Sequence, residues 1–366
     1  MRIGLDYRPA AGYSNTGIGR QNLALEEALR ANPQVSLQLF GVAPEDHPLR
    51  RRVHCPRWGA ALQGIHRLPG RLRFEGGFLP GALREAGVEV YICNFNMGLP
   101  LGKKPQGLRY VLQLHDLFQL TLSNSHGSRL KERFYRQSDK LSIGYSVKQA
   151  DRIWTPSQYT ANELVKLFPA ARDKVRVLPN LVAGFSGEPA DINELQLPER
   201  YWLVVGTREP RKNIPWFVSA WQAARQQSAD VPELLLIGAP EHLPSELRAL
   251  HGLHFLSDIS DSQLHAVYRQ ALRLWQPSYA EGFGLPVIEA LSVGTPVAVA
   301  SGSALDEITP AGSPRFSPTD SAALGQLMVQ LADSPKEDPA ALQAWATGYA
   351  EGAYRQRLDE LLEELK

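Results

Sequence analysis

The chain has 366 residues, room for two or three domains at roughly 150 residues each, with cores that need no covalent staples. Its 39 Lys and Arg against 38 Asp and Glu leave a net charge of +1, which argues against a dedicated nucleic-acid binder. Two cysteines, Cys55 and Cys93, exclude a disulfide scaffold and any cysteine-rich zinc or iron–sulfur centre, and fit a reducing compartment.

The first residues, MRIGLDY, read as a buried strand rather than a secretory signal. Nowhere do about eighteen apolar residues run together, so a cytoplasmic chain without membrane spans is expected. A helical pattern, QNLALEEALRA, follows with Leu25, Ala28 and Leu29 on one face, and then the strand-like VSLQLFGV, which completes a βαβ unit. Further strands are expected in 88–95, 109–116, 151–157 and 174–180. Together they predict one doubly wound α/β domain over residues 1–183. Residues 184–200 lose periodicity and collect Gly, Pro and acids, which reads as a linker. The alternation restarts with strands expected in 201–207, 232–239, 253–258, 272–278 and 295–301, giving a second Rossmann-like domain over 201–347. Over 348–366, Tyr354, Leu358, Leu361, Leu362 and Leu365 recur at helical spacing, so this last helix must pack on something. Ligands of open parallel sheets bind outside the carboxyl ends of the strands, so two such domains imply a crevice between them.

Residues 48–74 are biased in charge. Arg50, Arg51, Arg52, Arg57, Arg67, Arg71 and Arg73 occur there among apolar residues such as Val53, Trp58, Ile65 and Phe74, before the first acid at Glu75. One reading is a surface for anionic lipid or a phosphorylated acceptor. The other is a face whose acidic partners lie elsewhere.

Thr16-Gly17-Ile18-Gly19-Arg20 is expected between the first strand and the first helix, where Gly17 and Gly19 would let backbone N–H groups approach a phosphate or sugar. A dinucleotide fingerprint needs a third glycine where Asn22 stands, so NAD is disfavoured. His115-Asp116 closes a strand and offers either an imidazole at the mouth of the sheet or a histidine satisfied by Asp116 or local backbone. Thr155-Pro156-Ser157 offers hydroxyls that serve capping as well as ligand contact. After the first strand of the second domain, Gly206-Thr207-Arg208-Glu209-Pro210-Arg211-Lys212-Asn213 places three cations where a diphosphate would lie. Most informative is the stretch from Ser278 to Ala290. There Glu281 lies in a Gly-rich loop and Glu289 sits one turn into a helix opened by Pro286, setting two carboxylates beside a helix N-terminus.

In this order the motifs resemble the GT-B-fold retaining glycosyltransferases of family 4. They are Gly-Ile-Gly-Arg at 17–20, His115-Asp116, Val-Leu-Pro-Asn at 177–180, Glu-Pro-Arg-Lys-Asn at 209–213 and Glu281-x7-Glu289. The resemblance implies two Rossmann-like domains facing across a cleft, with the last helix crossing back to the N-terminal, acceptor-side domain. It implies a nucleotide-sugar donor with Arg211 and Lys212 on the diphosphate, Glu289 on the ribose, and Glu281 with Gly282, Phe283, Gly284 and Leu285 against the sugar. His115 would meet the sugar from the other domain, and Gly17 and Gly19 would lie near the diphosphate. Where many members carry Arg or Lys directly after the strand-ending glycine, this chain has Thr207, with Arg208 one place on.

The mechanism this implies is retention without a protein nucleophile, the acceptor hydroxyl attacking the face from which the diphosphate departs. No Asp-x-Asp is present, and Asp258 and Asp261 are one residue too far apart, so no metal and no cofactor are expected. Likeness of the GIGR, HDLF and EPRKN segments to bacterial mannosyltransferases points to GDP-mannose or a GDP-deoxymannose, with a UDP-hexose as the alternative. The acceptor would be a glycan or lipid-linked glycan of the cell surface, such as lipopolysaccharide or capsule. Arg50, Arg51, Arg52, Arg57, Arg71 and Arg73 would then hold the enzyme against the inner membrane. Readings of another class are a nucleotide-sugar epimerase and a non-catalytic nucleotide-sugar-binding subunit.

Overall fold

Short apolar runs become the strands of two parallel sheets. The computed structural model describes residues 1–14, 16–62, 68–122, 129–185, 187–335 and 337–366, with 68 and 129–131 described in backbone only. Its contacts divide the chain into two units, Met1–Leu181 with Tyr354–Lys366, and Val182–Ala353.

The first unit holds β1 (Arg2–Asp6), β2 (Ser36–Phe40), β3 (Val53–His54), β4 (Val90–Cys93), β5 (Arg109–Gln113), β6 (Arg152–Thr155) and β7 (Val175–Val177). Among the described residues they form one sheet in the order β3-β2-β1-β4-β5-β6-β7, and every pairing is parallel. Val90 and Ile92 face one core and Tyr91 and Cys93 the other, because successive side chains of a strand point to opposite faces. Burial on both faces explains why these strands read as continuous apolar runs. The helix Gly17–Ala31 covers one face with Leu25, Ala28 and Leu29. The helix Glu351–Glu363 joins the same core through Tyr354, Leu358, Leu361 and Leu362, and Glu364 just beyond it pairs with Arg152 and Arg176.

The second unit holds β8 (Tyr201–Val205), β9 (Glu233–Ile237), β10 (Leu253–Leu256), β11 (Arg273–Gln276), β12 (Val297–Ala300) and β13 (Arg315–Phe316). Their order is β10-β9-β8-β11-β12-β13, again parallel throughout. Trp202, Val204, Trp275 and Ala298 pack on one side; Tyr201, Leu203, Leu274 and Val297 pack on the other. The described residues of the segment expected to be a linker, 184–185 and 187–200, belong to this unit. Ile192 is buried in its core, and Phe185 stacks on His265 with ring centroids 4.8 Å apart. Chain order reverses between β1 and β4 in the first sheet and between β8 and β11 in the second, and such switch points are where open α/β sheets bind ligands. Among the described residues no helix is long and apolar enough to cross a membrane.

Candidate functional site

At the second switch point the segments after β8 and β11 meet. β8 ends at Val205, and Gly206 takes φ 86°, a left-handed conformation open to glycine. A Cβ at Gly206 would meet the Lys212 side chain at 3.3 Å, so the glycine lets that chain lie across the strand end, where Nζ donates to the Val205 carbonyl at 3.2 Å. Pro210–Lys212 form a single 3-10 turn, which brings Arg211 and Lys212 to the same place.

From the other side comes Glu281, buried at 6% exposure. Its Oε1 accepts from the Ser278 hydroxyl at 2.8 Å and from Gln276 Nε2 at 2.9 Å. Oε2 lies 2.6 Å from Arg211 Nη1, and Oε1 lies 3.7 Å from Lys212 Nζ. Arg211 also donates to the Ala280 carbonyl at 3.1 Å. Burial works to raise the Glu281 pKa, but Lys212, Arg211 and the Ser278 hydroxyl outweigh it and hold the carboxyl below its ordinary value. For Lys212 burial dominates and lowers the ammonium pKa, Glu281 opposing and Arg211 adding to the shift. The result is two fixed cations around one carboxylate, with Glu289 as a second carboxylate acting on Lys212. Its helix Leu285–Ser292, opened by Gly284 and Pro286, adds N-terminal N–H groups. Glu289 projects from that helix, and the Tyr268 hydroxyl donates to it at 2.8 Å. Such an array can hold an anion and stabilise charge that develops on it.

The Phe283 side chain is in the core, edge-on to Tyr349, and Leu285 packs on the same core, so only their backbone is left for a ligand. Thr207 faces away, its hydroxyl within hydrogen-bond distance of the Ala239 carbonyl and His242 Nδ1. Arg208 is exposed, which leaves the cation cluster to Arg211 and Lys212. Tyr268 and Gln276 were not picked out from sequence, since one lies mid-helix and the other on a strand without any motif.

In the first unit, a short helix, Arg8–Tyr13, separates β1 from the helix Gly17–Ala31, and Gly17 and Gly19 lie inside that second helix rather than in an open turn. The Gly19 N–H donates to Thr16 Oγ1 at 3.2 Å, and a Cβ there would fall 2.0 Å from the Tyr13 carbonyl oxygen. Close helix packing therefore requires Gly19. Ser157 likewise caps the helix Gln158–Leu167 by accepting from Thr160 N at 3.0 Å. His115 is buried at 7% exposure, and its ring meets Asn94 rather than Asp116, with Nε2 2.5 Å from Asn94 Oδ1. Its backbone N–H donates to Asn96 Oδ1 at 2.8 Å. Burial lowers the imidazole pKa to about 4, so the ring is neutral at neutral pH.

The arginine-rich segment is largely built into the fold. Arg50 donates to the carbonyls of Ala43, Pro44 and Pro56; Arg52 pairs with Glu26 at 3.2 Å; Arg71 pairs with Glu75 at 3.1 Å; Arg73 lies 4.3 Å over the Trp58 ring. Val53 and Phe74 are buried, while Arg51, Arg52, Arg57 and Arg73 are exposed. Ile65 and Arg67 lie outside the described residues. Among the described residues, no three His, Cys, Asp or Glu side chains are grouped to hold a metal ion.

Residues 15–183 match the family model described as Glycosyltransferase Family 4, and residues 199–334 match Glycosyl transferases group 1. Among curated proteins, O-antigen chain mannosyltransferase B of Escherichia coli is 30% identical over 215 residues, 55% of this chain and 55% of that protein. O-antigen chain mannosyltransferase RfbU of Salmonella typhimurium is 25% identical over 241 residues, 64% of this chain and 62% of that protein. The matched part thus spans little more than half the length of these relatives. Among solved structures, Anabaena Alr3699/HepE in complex with UDP and glucose superposes with a TM-score of 0.67 at 14% identity, covering 100% of both chains. That likeness concerns the fold, two parallel-sheet α/β units of the GT-B type.

Proposed function

The chain belongs to the family 4 and group 1 glycosyltransferases, and on that premise we propose that it transfers a hexosyl unit, mannosyl in the first instance, from a nucleoside diphosphate sugar to a cell-surface glycan or its lipid-linked precursor. The observation that carries this reading is the clamping of Arg211 and Lys212 on Glu281 at the switch point of the second sheet. Both cations stand ready for a diphosphate beside the N-terminus of the helix Leu285–Ser292, and Glu289 is held by Tyr268 to accept from ribose hydroxyls.

In the proposed reaction the acceptor oxygen bonds to the anomeric carbon on the face that the diphosphate leaves. The anomeric C–O bond breaks with its electron pair going to the phosphate oxygen, which takes the acceptor proton. Arg211, Lys212 and the helix N-terminus take up the charge that grows on that oxygen, with no metal ion in the scheme. Glu281 fixes the two cations. His115, neutral at working pH, is suited to hydrogen-bond a sugar hydroxyl.

GDP is the proposed base because the curated relatives are named as mannosyltransferases; a UDP-hexose is the second reading, favoured by the UDP complex of Alr3699/HepE. Thermal unfolding with GDP, UDP, GDP-mannose and UDP-glucose, with and without chelator, decides between them. A ligand at 100 times its dissociation constant adds about 2.7 kcal/mol. Stabilisation by one nucleoside diphosphate regardless of chelator is expected, and none by any of them would sink the donor assignment. Product analysis with donor alone separates transfer from epimerisation. Any membrane contact of the arginine-rich segment falls to the exposed Arg51, Arg52, Arg57 and Arg73; unchanged binding to anionic vesicles after reversing all four charges would remove it.

A further inference from the structure

A cavity of about 580 Å³ opens on the second unit, at the far end of its sheet from Glu281. Thr295, which lines it, leads into β12, whereas Glu281 follows β11, and the two strands pair in parallel. Phe185 forms one wall, and His265 and Arg269 of the helix Asp261–Gln270 form another. Ser292 and Gln343 complete it. Gly294, at φ 80°, brings the turn after the helix Leu285–Ser292 against Pro339, since a Cβ there would fall 2.7 Å from the proline ring. We propose that this cavity binds a small hydroxylated anion, a sugar phosphate or a sugar acid, and that its occupancy acts on Glu289 through Tyr268.

The charge follows from what the walls lack. The lining side chains include one arginine and one histidine but no carboxylate. His265 and Arg269 stand one helical turn apart, so they project from the same face. Among the described residues the Arg269 guanidinium has no hydrogen bond or ion pair, and His265 Nδ1 is buried with no hydrogen-bond partner. Phe185 stacks on the imidazole and fixes its plane. Burial and Arg269 lower the His265 pKa, and Glu188 opposes them. An anion between Nδ1 and the guanidinium supplies the partner that both lack and draws the imidazole towards its protonated form.

The body of the ligand follows from the hydroxyls. Ser292 donates its hydroxyl hydrogen to the Glu289 carbonyl at 2.7 Å, and Thr295 donates its own to the Tyr268 carbonyl at 2.6 Å. Each oxygen is left with lone pairs that accept. Two such acceptors and the Gln343 amide suit ligand hydroxyls, and the volume is that of a small-molecule site rather than of a bare phosphate.

Both walls reach Glu289. Tyr268 lies between His265 and Arg269 on one helix, its ring centroid 5.6 Å from that of Phe185, and its hydroxyl donates to Glu289 at 2.8 Å. Ser292 ends the helix that carries Glu289. A ligand that moves one helix against the other changes the hold on Glu289, so binding here and nucleoside diphosphate binding alter each other's affinity by the same factor. This coupling, unlike the site, rests on the ribose-binding reading of Glu289 above.

His265 supplies the readout. In the full chain its imidazole Cε1–H resonance, assigned by its loss in His265→Gln, is followed during titration with glucose 6-phosphate, glucuronate, glucose and inorganic phosphate. One of the two sugar anions is expected to move it and to raise the His265 pKa, and the one that does so names the anionic group. Arg269→Gln, a change at an exposed position, should weaken that binding by about tenfold, the loss of one charged hydrogen-bond partner. Lys212→Ala should keep the response; its loss there would place the anion at the Glu281 cluster and overturn the site. No response to either sugar anion overturns it too, and an equal response to glucose overturns the anionic class. Phosphate acting as well as the sugar anions would mean an adventitious ion only. With the responding anion saturating, the affinity for a nucleoside diphosphate should change by about fivefold, and Tyr268→Phe should abolish the change. Unchanged affinity beside an intact His265 response removes the coupling alone, whereas no nucleotide binding at all removes the donor reading and leaves the site.

Discussion

Arg211 Nη1 rests 2.6 Å from Glu281 Oε2, a pairing that ties the loop after β8 to the loop after β11. The carboxylate fixes both cations; if they bind the diphosphate as proposed, little reorganisation remains for the reacting state.

Lys212 is the better cation to delete, because Arg211 also carries the Ala280 carbonyl and the loop geometry. If Lys212 stabilises charge on the departing diphosphate, Lys212→Ala lowers kcat by about 100-fold, by analogy with removal of one oxyanion-hole donor. Steady-state kinetics with saturating donor test this, and turnover unchanged within a factor of two or so would remove the role.

Glu281→Gln asks a different question. Lys212 already has a lowered pKa through burial, and Glu281 is the group that opposes the shift. Neutralising Glu281 lowers the Lys212 pKa further, so the alkaline limb of the kcat/KM profile is expected to move to lower pH. An alkaline limb that stays put would show that Lys212 ionisation does not govern the reaction.

Arg8→Met tests the buried network of the first unit. Removing the guanidinium leaves Asp6 without its countercharge and Glu75 with Arg71 alone, which costs about 3–5 kcal/mol. The urea midpoint should fall accordingly, and adding Asp6→Asn with Glu75→Gln should recover part of the loss. A midpoint within experimental error of the parent would mean the network does not stabilise this unit.

Much of this was legible in the sequence because parallel strands buried on both faces leave uninterrupted apolar runs, as VYIC and VAVA do. The two-residue edge strands β3 and β13 leave no such run and were missed. Arg211, Lys212, Glu281 and Glu289 stood out because each lies in a loop after a strand or one turn into the helix that follows it. Residues acting through pairing alone did not: nothing in the sequence joins Tyr268 to Glu289, Asn94 to His115, or Arg8 to Glu75. The arginines of 48–74 left two readings open for the same reason, since Glu26 and Glu75, the acids that Arg52 and Arg71 pair with, lie outside the segment.

His115 gives the network of the first unit a pH dependence whose sign is fixed. Burial lowers its pKa to about 4 in the folded chain against an ordinary 6.5, so between these values the unfolded chain binds a proton that the folded chain refuses. Its contribution is constant above the upper value, is lost as pH falls through the window, and amounts to about 3 kcal/mol once pH is below the lower one. His115→Gln keeps a side chain able to donate to Asn94 and cannot titrate. Urea denaturation of parent and variant at neutral pH and near pH 4.5 should show the parent losing about 2–3 kcal/mol more than the variant on acidification. Equal losses would mean that the buried imidazole takes up its proton without cost, and that its neutral form is not what the site preserves.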